Sequence, residues 1–80
     1  MPYDSPDEPV GKVGRVLVRV RGGDAPGEVV VNVAGTPETY LAYAADAIAV
    51  GSDVLVVASR GARGVDVVPW DLASPSPERS

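Results

Sequence analysis

The sequence predicts an all-β fold, and three of its features lead to this prediction. Valine supplies 16 of the 80 residues and phenylalanine is absent, and β-branched side chains suit the pleated surface of a sheet better than a helix. Apolar and polar residues alternate at the strand period of two rather than at the helical period of about 3.6. The apolar runs are short and are bounded by glycines, as strands are bounded by turns.

Two strands are predicted in the first half of the chain, at residues 14–21 and 28–33. In both strands alternate valines are expected to face the core, namely Val16, Val18 and Val20 and then Val29, Val31 and Val33. The segment Gly22-Gly23-Asp24-Ala25-Pro26-Gly27 is dense in turn-forming residues and separates the two strands. The next break is expected at Gly35-Thr36-Pro37.

Three further strands are predicted at residues 39–44, 53–59 and 65–68. Alanines in the first of these favour a helix, whereas its threonine and tyrosines favour the strand that we assign. Residues 46–50 are expected to form a short helical turn that Gly51 ends. Arg60-Gly61-Ala62-Arg63-Gly64 is expected to be a tight loop, and Pro69 ends the last strand because it has no N–H to donate.

Five short strands imply a small closed barrel, because closure leaves no exposed sheet edge. Three strands, a connection and then a hairpin fit the five-stranded OB barrel, in which the helix between the third and fourth strands would here be reduced or absent. The predicted domain covers residues 11–70, and residues 1–10 and 71–80 read as flexible tails rich in proline and acidic residues. The first ten residues lack the basic start and apolar run of a signal peptide.

The composition argues against catalysis. The chain has no cysteine and no histidine, which removes the common nucleophile–base pairs and the common zinc ligands. Its single lysine, Lys12, lies in a glycine-flanked segment, and its carboxylates form no catalytic pair that spacing supports. Gly11-x-x-Gly14 leads into a strand rather than a helix, so it does not fit a phosphate-binding loop. We therefore predict no enzyme activity, no cofactor, no metal and no small-molecule substrate.

The arginines are the polar residues that say most about function. The predicted interaction surface consists of Arg15, Arg19 and Arg21 on the outer face of the first strand, Arg60 and Arg63 in the last loop, and Tyr40. Tyr40 and Tyr43 are an odd number of residues apart, so they point to opposite faces and one of them is expected in the core. The alternative is that the arginines form a solvated face paired with nearby carboxylates. Trp70 is expected to pack over the end of the barrel, the alternative being a partner contact.

Several phrases of the sequence occur in a characteristic order: Gly11-x-x-Gly14, Gly27-Glu28-Val29, Tyr40-Leu41-Ala42, residues 48–57 (IAVGSDVLVV) and residues 64–69 (GVDVVP). In this order they resemble the C-terminal soluble domain of NfeD-like membrane proteins. The resemblance implies a five-stranded OB barrel without catalytic residues, usually carried behind membrane helices. It also implies action beside flotillin- and stomatin-like membrane scaffold proteins.

We therefore expect a non-enzymatic protein-interaction module at the cytoplasmic side of a membrane. The isolated chain is expected to be soluble and to reach the membrane only through helices that it does not itself contain. The alternative is an OB-fold module that binds single-stranded nucleic acid. The charge argues against this alternative, because residues 11–70 contain six basic and six acidic residues, whereas such binding needs a basic groove with several aromatic residues.

Overall fold

The computed structural model describes residues 9–70. They form five strands: β1 (Val13–Val18), β2 (Gly27–Val33), β3 (Thr36–Tyr43), β4 (Asp53–Gly61) and β5 (Gly64–Pro69). The predicted tails lie outside the described residues except for Pro9 and Val10. Pro9 is buried, and its carbonyl oxygen accepts a hydrogen bond of 3.1 Å from the backbone N–H of Lys12.

The strands close into a barrel in the order β1-β2-β3-β5-β4, with β4 pairing back onto β1. Every pairing is antiparallel except the one between β3 and β5, which is parallel and short. The all-β fold class and the closed five-stranded barrel are confirmed, and the arrangement is OB-like. Among residues 9–69 none is helical.

Aliphatic side chains fill the inside of the barrel. Among residues 9–70 the buried hydrophobic core consists of Val16, Val20, Val29, Val31, Val33, Tyr40, Ala42, Ile48, Val54, Val56, Val65 and Val67. No polar or charged side chain is buried among residues 9–70. The alternation of valines in β2 places Val29, Val31 and Val33 inside, as predicted, because successive side chains of a strand point to opposite faces.

The prediction that Val18 faces the core is wrong, and a β-bulge in β1 explains the difference. Val16 is opposite Val29 and Val18 is opposite Glu28, so Leu17 is an extra residue in β1. A bulge changes the phase of a strand, and Val18 is consequently 48% exposed. β1 also ends at Val18 instead of continuing to residue 21.

The predicted helical turn at residues 46–50 is also wrong. Ile48 and Val20 exchange backbone hydrogen bonds of 2.9 and 3.0 Å, and both side chains are buried. Burying the isoleucine and pairing its backbone with Val20 outweigh the modest helix propensity of the surrounding alanines. Gly51 lies in a turn closed by a bond of 3.2 Å from the Ser52 N–H to the Ala49 carbonyl, and its φ is 89°.

β2 and β3 are joined by a two-residue turn, so β3 begins at Thr36 and not at residue 39. Ala34 and Gly35 have φ of 54° and 82°, which is the pattern of a type I′ hairpin turn. Pro37 therefore lies within β3, opposite Asn32. The strand tolerates this proline because β5 pairs with β3 only from Leu41 to Tyr43.

Ala34→Asn is expected to stabilise the domain by about 0.5–1 kcal/mol, because asparagine adopts positive φ at lower cost than alanine. The free energy of unfolding in urea measures the gain. Ala47→Asn is the matched control, since Ala47 is also exposed and has no positive φ. Equal effects of the two substitutions would contradict the turn assignment.

Candidate interaction surface

The β4–β5 hairpin is held against β3, and this contact positions two of the predicted arginines. Its turn residues Ala62 and Arg63 have φ of 49° and 66°. The backbone N–H of Leu41 donates a hydrogen bond of 2.7 Å to the carbonyl oxygen of Arg63. The hairpin therefore lies beside the strand that carries Tyr40 and Tyr43.

Arg60 contacts one carboxylate and one aromatic ring. Its Nε donates to Oδ1 of Asp66 at 2.8 Å, and its guanidinium carbon lies 3.9 Å from the centre of the Tyr43 ring. Together with Asp24 of the β1–β2 connection, these three residues line an open surface groove of about 310 Å³. The guanidinium of Arg60 therefore forms a cation–π contact with the ring and an ion pair with the carboxylate at the same time.

Arg63, in the turn of the same hairpin, also contacts a carboxylate and an aromatic ring. Its Nη2 donates to Oε1 of Glu38 at 3.0 Å and to the carbonyl oxygen of Thr39 at 2.9 Å. Its guanidinium carbon lies 4.5 Å from the centre of the Tyr40 ring. Tyr40 itself is buried, which confirms that one of the two tyrosines belongs to the core.

Arg15 lies apart from these two clusters, at the junction of β1 and β4. Its Nε is 3.4 Å from Oδ1 of Asp53, and both side chains are about half exposed or more. Water screens all three arginine–carboxylate pairs of the described residues, so each contributes less than about 1 kcal/mol to stability.

Arg19 and Arg21 follow the end of β1 and are exposed. Neither forms an ion pair within residues 9–70. The structure thus divides the predicted surface into three places. Arg60, Arg63 and Tyr40 lie together around β3, Arg15 lies on the β1–β4 junction, and the remaining two arginines stand in the β1–β2 connection.

Sequence reasoning missed a group of exposed apolar residues. Leu17, Val18, Leu41 and Val50 are between 42% and 61% exposed, and we call them the bulge patch because the first two form the bulge of β1. One signal could have revealed it: Val16-Leu17-Val18 is three consecutive apolar residues, which a strand with one buried face cannot bury together.

Comparison with known proteins decides the family. The model of the NfeD C-terminal domain family matches residues 13–68, which extend from the start of β1 almost to the end of β5. The chain belongs to the NfeD C-terminal domain family. The resemblance found in the sequence is thereby confirmed.

A solved structure similar to this NfeD domain is the solution structure of the soluble domain of the NfeD protein YuaF from Bacillus subtilis. The two share 31% sequence identity with a TM-score of 0.65, and the match covers 79% of this chain and 75% of that chain. No curated protein matches this chain.

Residues 9–70 of the NfeD domain contain no group of three or more acidic, histidine or cysteine side chains placed to hold a metal ion. Within the same residues, no helix has the length and apolar character needed to cross a membrane.

Arg60 and Asp66 are expected to show a coupling free energy of about 0.5–1 kcal/mol in a double-mutant cycle of Arg60→Gln and Asp66→Asn. The value is small because the two side chains are 49% and 35% exposed. Urea unfolding of the four proteins measures it. Arg21→Gln with Asp66→Asn is the matched control and is expected to show no coupling, so an equal coupling in both cycles would contradict the assigned pair.

Proposed function

We propose that this NfeD domain is a non-catalytic protein-interaction module that acts at the cytoplasmic side of a membrane, beside flotillin- or stomatin-like membrane proteins. The observation that carries the proposal is the exposure of large apolar side chains on the barrel. Among residues 9–70 these are Val10, Val13, Leu17, Val18, Leu41, Val50 and Val57. Leu17, Val18 and Val50 lie on two hydrogen-bonded neighbouring segments, and a contiguous exposed apolar patch is typical of protein-binding sites.

The surroundings of the carboxylates support a non-catalytic role. Glu38, Asp53 and Asp66 each contact an arginine at the surface of the domain. A general acid or base needs a site that shields it from water and shifts its pKa. The exposed ion pairs of this barrel provide no such shielding.

The partner class rests on the resemblance to NfeD-like proteins. The surface predicted from the sequence, Arg15, Arg19, Arg21, Arg60, Arg63 and Tyr40, is proposed as the part of the domain in which contacts are sought, and within it Arg19 and Arg21 are the arginines that form no ion pair among residues 9–70. The nucleic-acid alternative is less well supported. Base stacking needs open aromatic faces, whereas the guanidiniums of Arg60 and Arg63 lie over the rings of Tyr43 and Tyr40.

Titration of the 80-residue chain against a purified flotillin-like protein from the same genome tests the proposal. We expect saturable binding by calorimetry, with a much smaller loss of affinity between about 50 and 200 mM salt than a nucleic-acid complex would show, and no binding of a single-stranded oligodeoxythymidylate. Nucleic-acid binding would weaken steeply over that range, because phosphate contacts release counterions. Absence of binding to the flotillin-like protein, together with tight and salt-sensitive binding of the oligonucleotide, would overturn the proposal. So would hydrolysis of an ester, peptide or phosphate substrate that one point substitution abolishes.

A further inference from the structure

We infer that the partner docks on the bulge patch with an apolar protein segment whose flanking carboxylates bind Arg19 and Arg21. This inference rests on the proposed function, because it takes the domain to be a protein-interaction module. It goes further by naming one surface and the chemistry of the segment that covers it.

Backbone pairing places three residues of the bulge patch side by side and the fourth, Leu41, two strands away on the same face of the sheet. Val18 is opposite Glu28 on β2, and Glu28 is opposite Leu41 on β3. On the other side of β1, the segment of residues 48–51 that contains Val50 is hydrogen-bonded to residues 16 and 20. Ile48 pairs with Val20, and the Gly51 N–H donates to the Val16 carbonyl at 2.9 Å. Leu17, Val18 and Val50 therefore lie between these two sets of hydrogen bonds.

All four side chains of the bulge patch are exposed. Leu17, Val18, Leu41 and Val50 are 47%, 48%, 42% and 61% exposed. Burying such side chains stabilises a complex through the hydrophobic effect. Arg19 and Arg21 form no ion pair with a carboxylate of residues 9–70, so they are available to orient a bound segment that carries carboxylates.

The charges of the arginines indicate what kind of segment would bind to the bulge patch. Arg15, Arg60 and Arg63 each contact a carboxylate of their own chain. Arg19 and Arg21 have no such partner among residues 9–70, and they lie one and three residues after Val18 in the chain. A guanidinium binds a carboxylate through two parallel hydrogen bonds. A segment with apolar residues flanked by aspartate or glutamate therefore complements both the patch and the two arginines.

Two other occupants fit less well. An anionic lipid surface would repel Glu28, which lies between Val18 and Leu41 in the register, and the whole chain carries a formal charge of -4. A second copy related by two-fold symmetry would bury the same patch of both chains in one interface. Such a dimer would bring Arg19 and Arg21 of both copies, four cations, to that interface. A protein segment can place its carboxylates at the arginines and avoid Glu28.

The first experiment uses a phage-displayed library of random peptides, each about 16 residues long, selected against the 80-residue chain. We expect the selected peptides to combine apolar residues with aspartate or glutamate. Arg19→Gln/Arg21→Gln is expected to weaken their binding at least about 10-fold, as is Val18→Ser/Val50→Ser. The matched control Arg15→Gln/Arg60→Gln, which removes the same charge elsewhere, is expected to stay within about 2-fold. Peptides without acidic residues, or equal loss in the control, would overturn the inference.

The same variants in the titration with the flotillin-like protein separate the two proposals. If that protein binds wild type and Arg19→Gln/Arg21→Gln equally, the docking surface is wrong and the proposed function stands. If it does not bind at all while the acidic peptides bind through the bulge patch, the partner is wrong and the docking surface stands. Arginine-dependent binding to vesicles containing phosphatidylglycerol, or self-association that Val18→Ser/Val50→Ser abolishes, would also overturn the inference.

Discussion

Replacing Gly27 by alanine is expected to destabilise the domain strongly. A Cβ at this position would lie 2.5 Å from the carbonyl oxygen of Arg19 and closer still to that of Val18. Both atoms belong to the backbone, so no side chain can rotate away to relieve the contact. The carbonyls of Val18 and Arg19, at the end of β1, approach the start of β2 so closely that only a residue without a side chain fits at position 27.

The expected loss is about 3 kcal/mol or more, which is a large part of the roughly 3–9 kcal/mol that a domain of about 60 residues has. Far-UV circular dichroism and the urea midpoint measure it. Gly64→Ala is the matched control, because Gly64 is also a buried strand glycine, and a Cβ added there would lie 3.4 Å from the Cβ of Arg60 and from the carbonyl oxygen of Gly61. Equal stability of the two variants would show that the close approach of the Val18 and Arg19 backbone to Gly27 is misplaced.

Val16→Asp is expected to prevent folding, and Val18→Asp is expected to leave the fold intact. The two valines are two residues apart and would share a face in a regular strand, yet Val16 is 1% exposed and Val18 is 48% exposed. A carboxylate at position 16 would lie among aliphatic side chains with no partner, at a cost of several kcal/mol. At position 18 it would remain in water.

Urea unfolding of the two variants measures the difference, which is expected to exceed about 3 kcal/mol. Val56→Asp and Val57→Asp give an independent pair, since Val56 is buried and Val57 is exposed. Similar destabilisation by Val16→Asp and Val18→Asp would mean that β1 has no bulge, and the bulge patch would then not exist.

The sequence was sufficient to predict the fold class, the number of strands and most of the core. Valines at alternate positions report directly which face of a strand is buried, and β2, β4 and β5 follow that rule closely enough to be assigned. Glycines and one proline marked the turns, although Pro37 lies inside β3 and not in the break before it.

The errors occur where long-range pairing determines the local structure. The bulge at Leu17 depends on how β1 meets β2, and the extended chain at Ile48 depends on pairing with Val20, 28 positions away in the sequence. The helix and strand propensities of the residues themselves carry no information about either of these long-range contacts. For the same reason, the sequence grouped Arg15, Arg19 and Arg21 on one face. Only the folded chain separates the paired arginine from the two that have no ion pair among residues 9–70.

Hydrogen–deuterium exchange of the 80-residue chain, with and without the bound flotillin-like protein, tests most directly the central claim that this domain works by docking a partner on its outer wall. Slower exchange is predicted for the backbone amides of residues 17–21 and 49–51, with the β4–β5 turn at Ala62 and Arg63 unchanged. Slower exchange confined to that turn, or no change anywhere at saturating partner, would contradict the account.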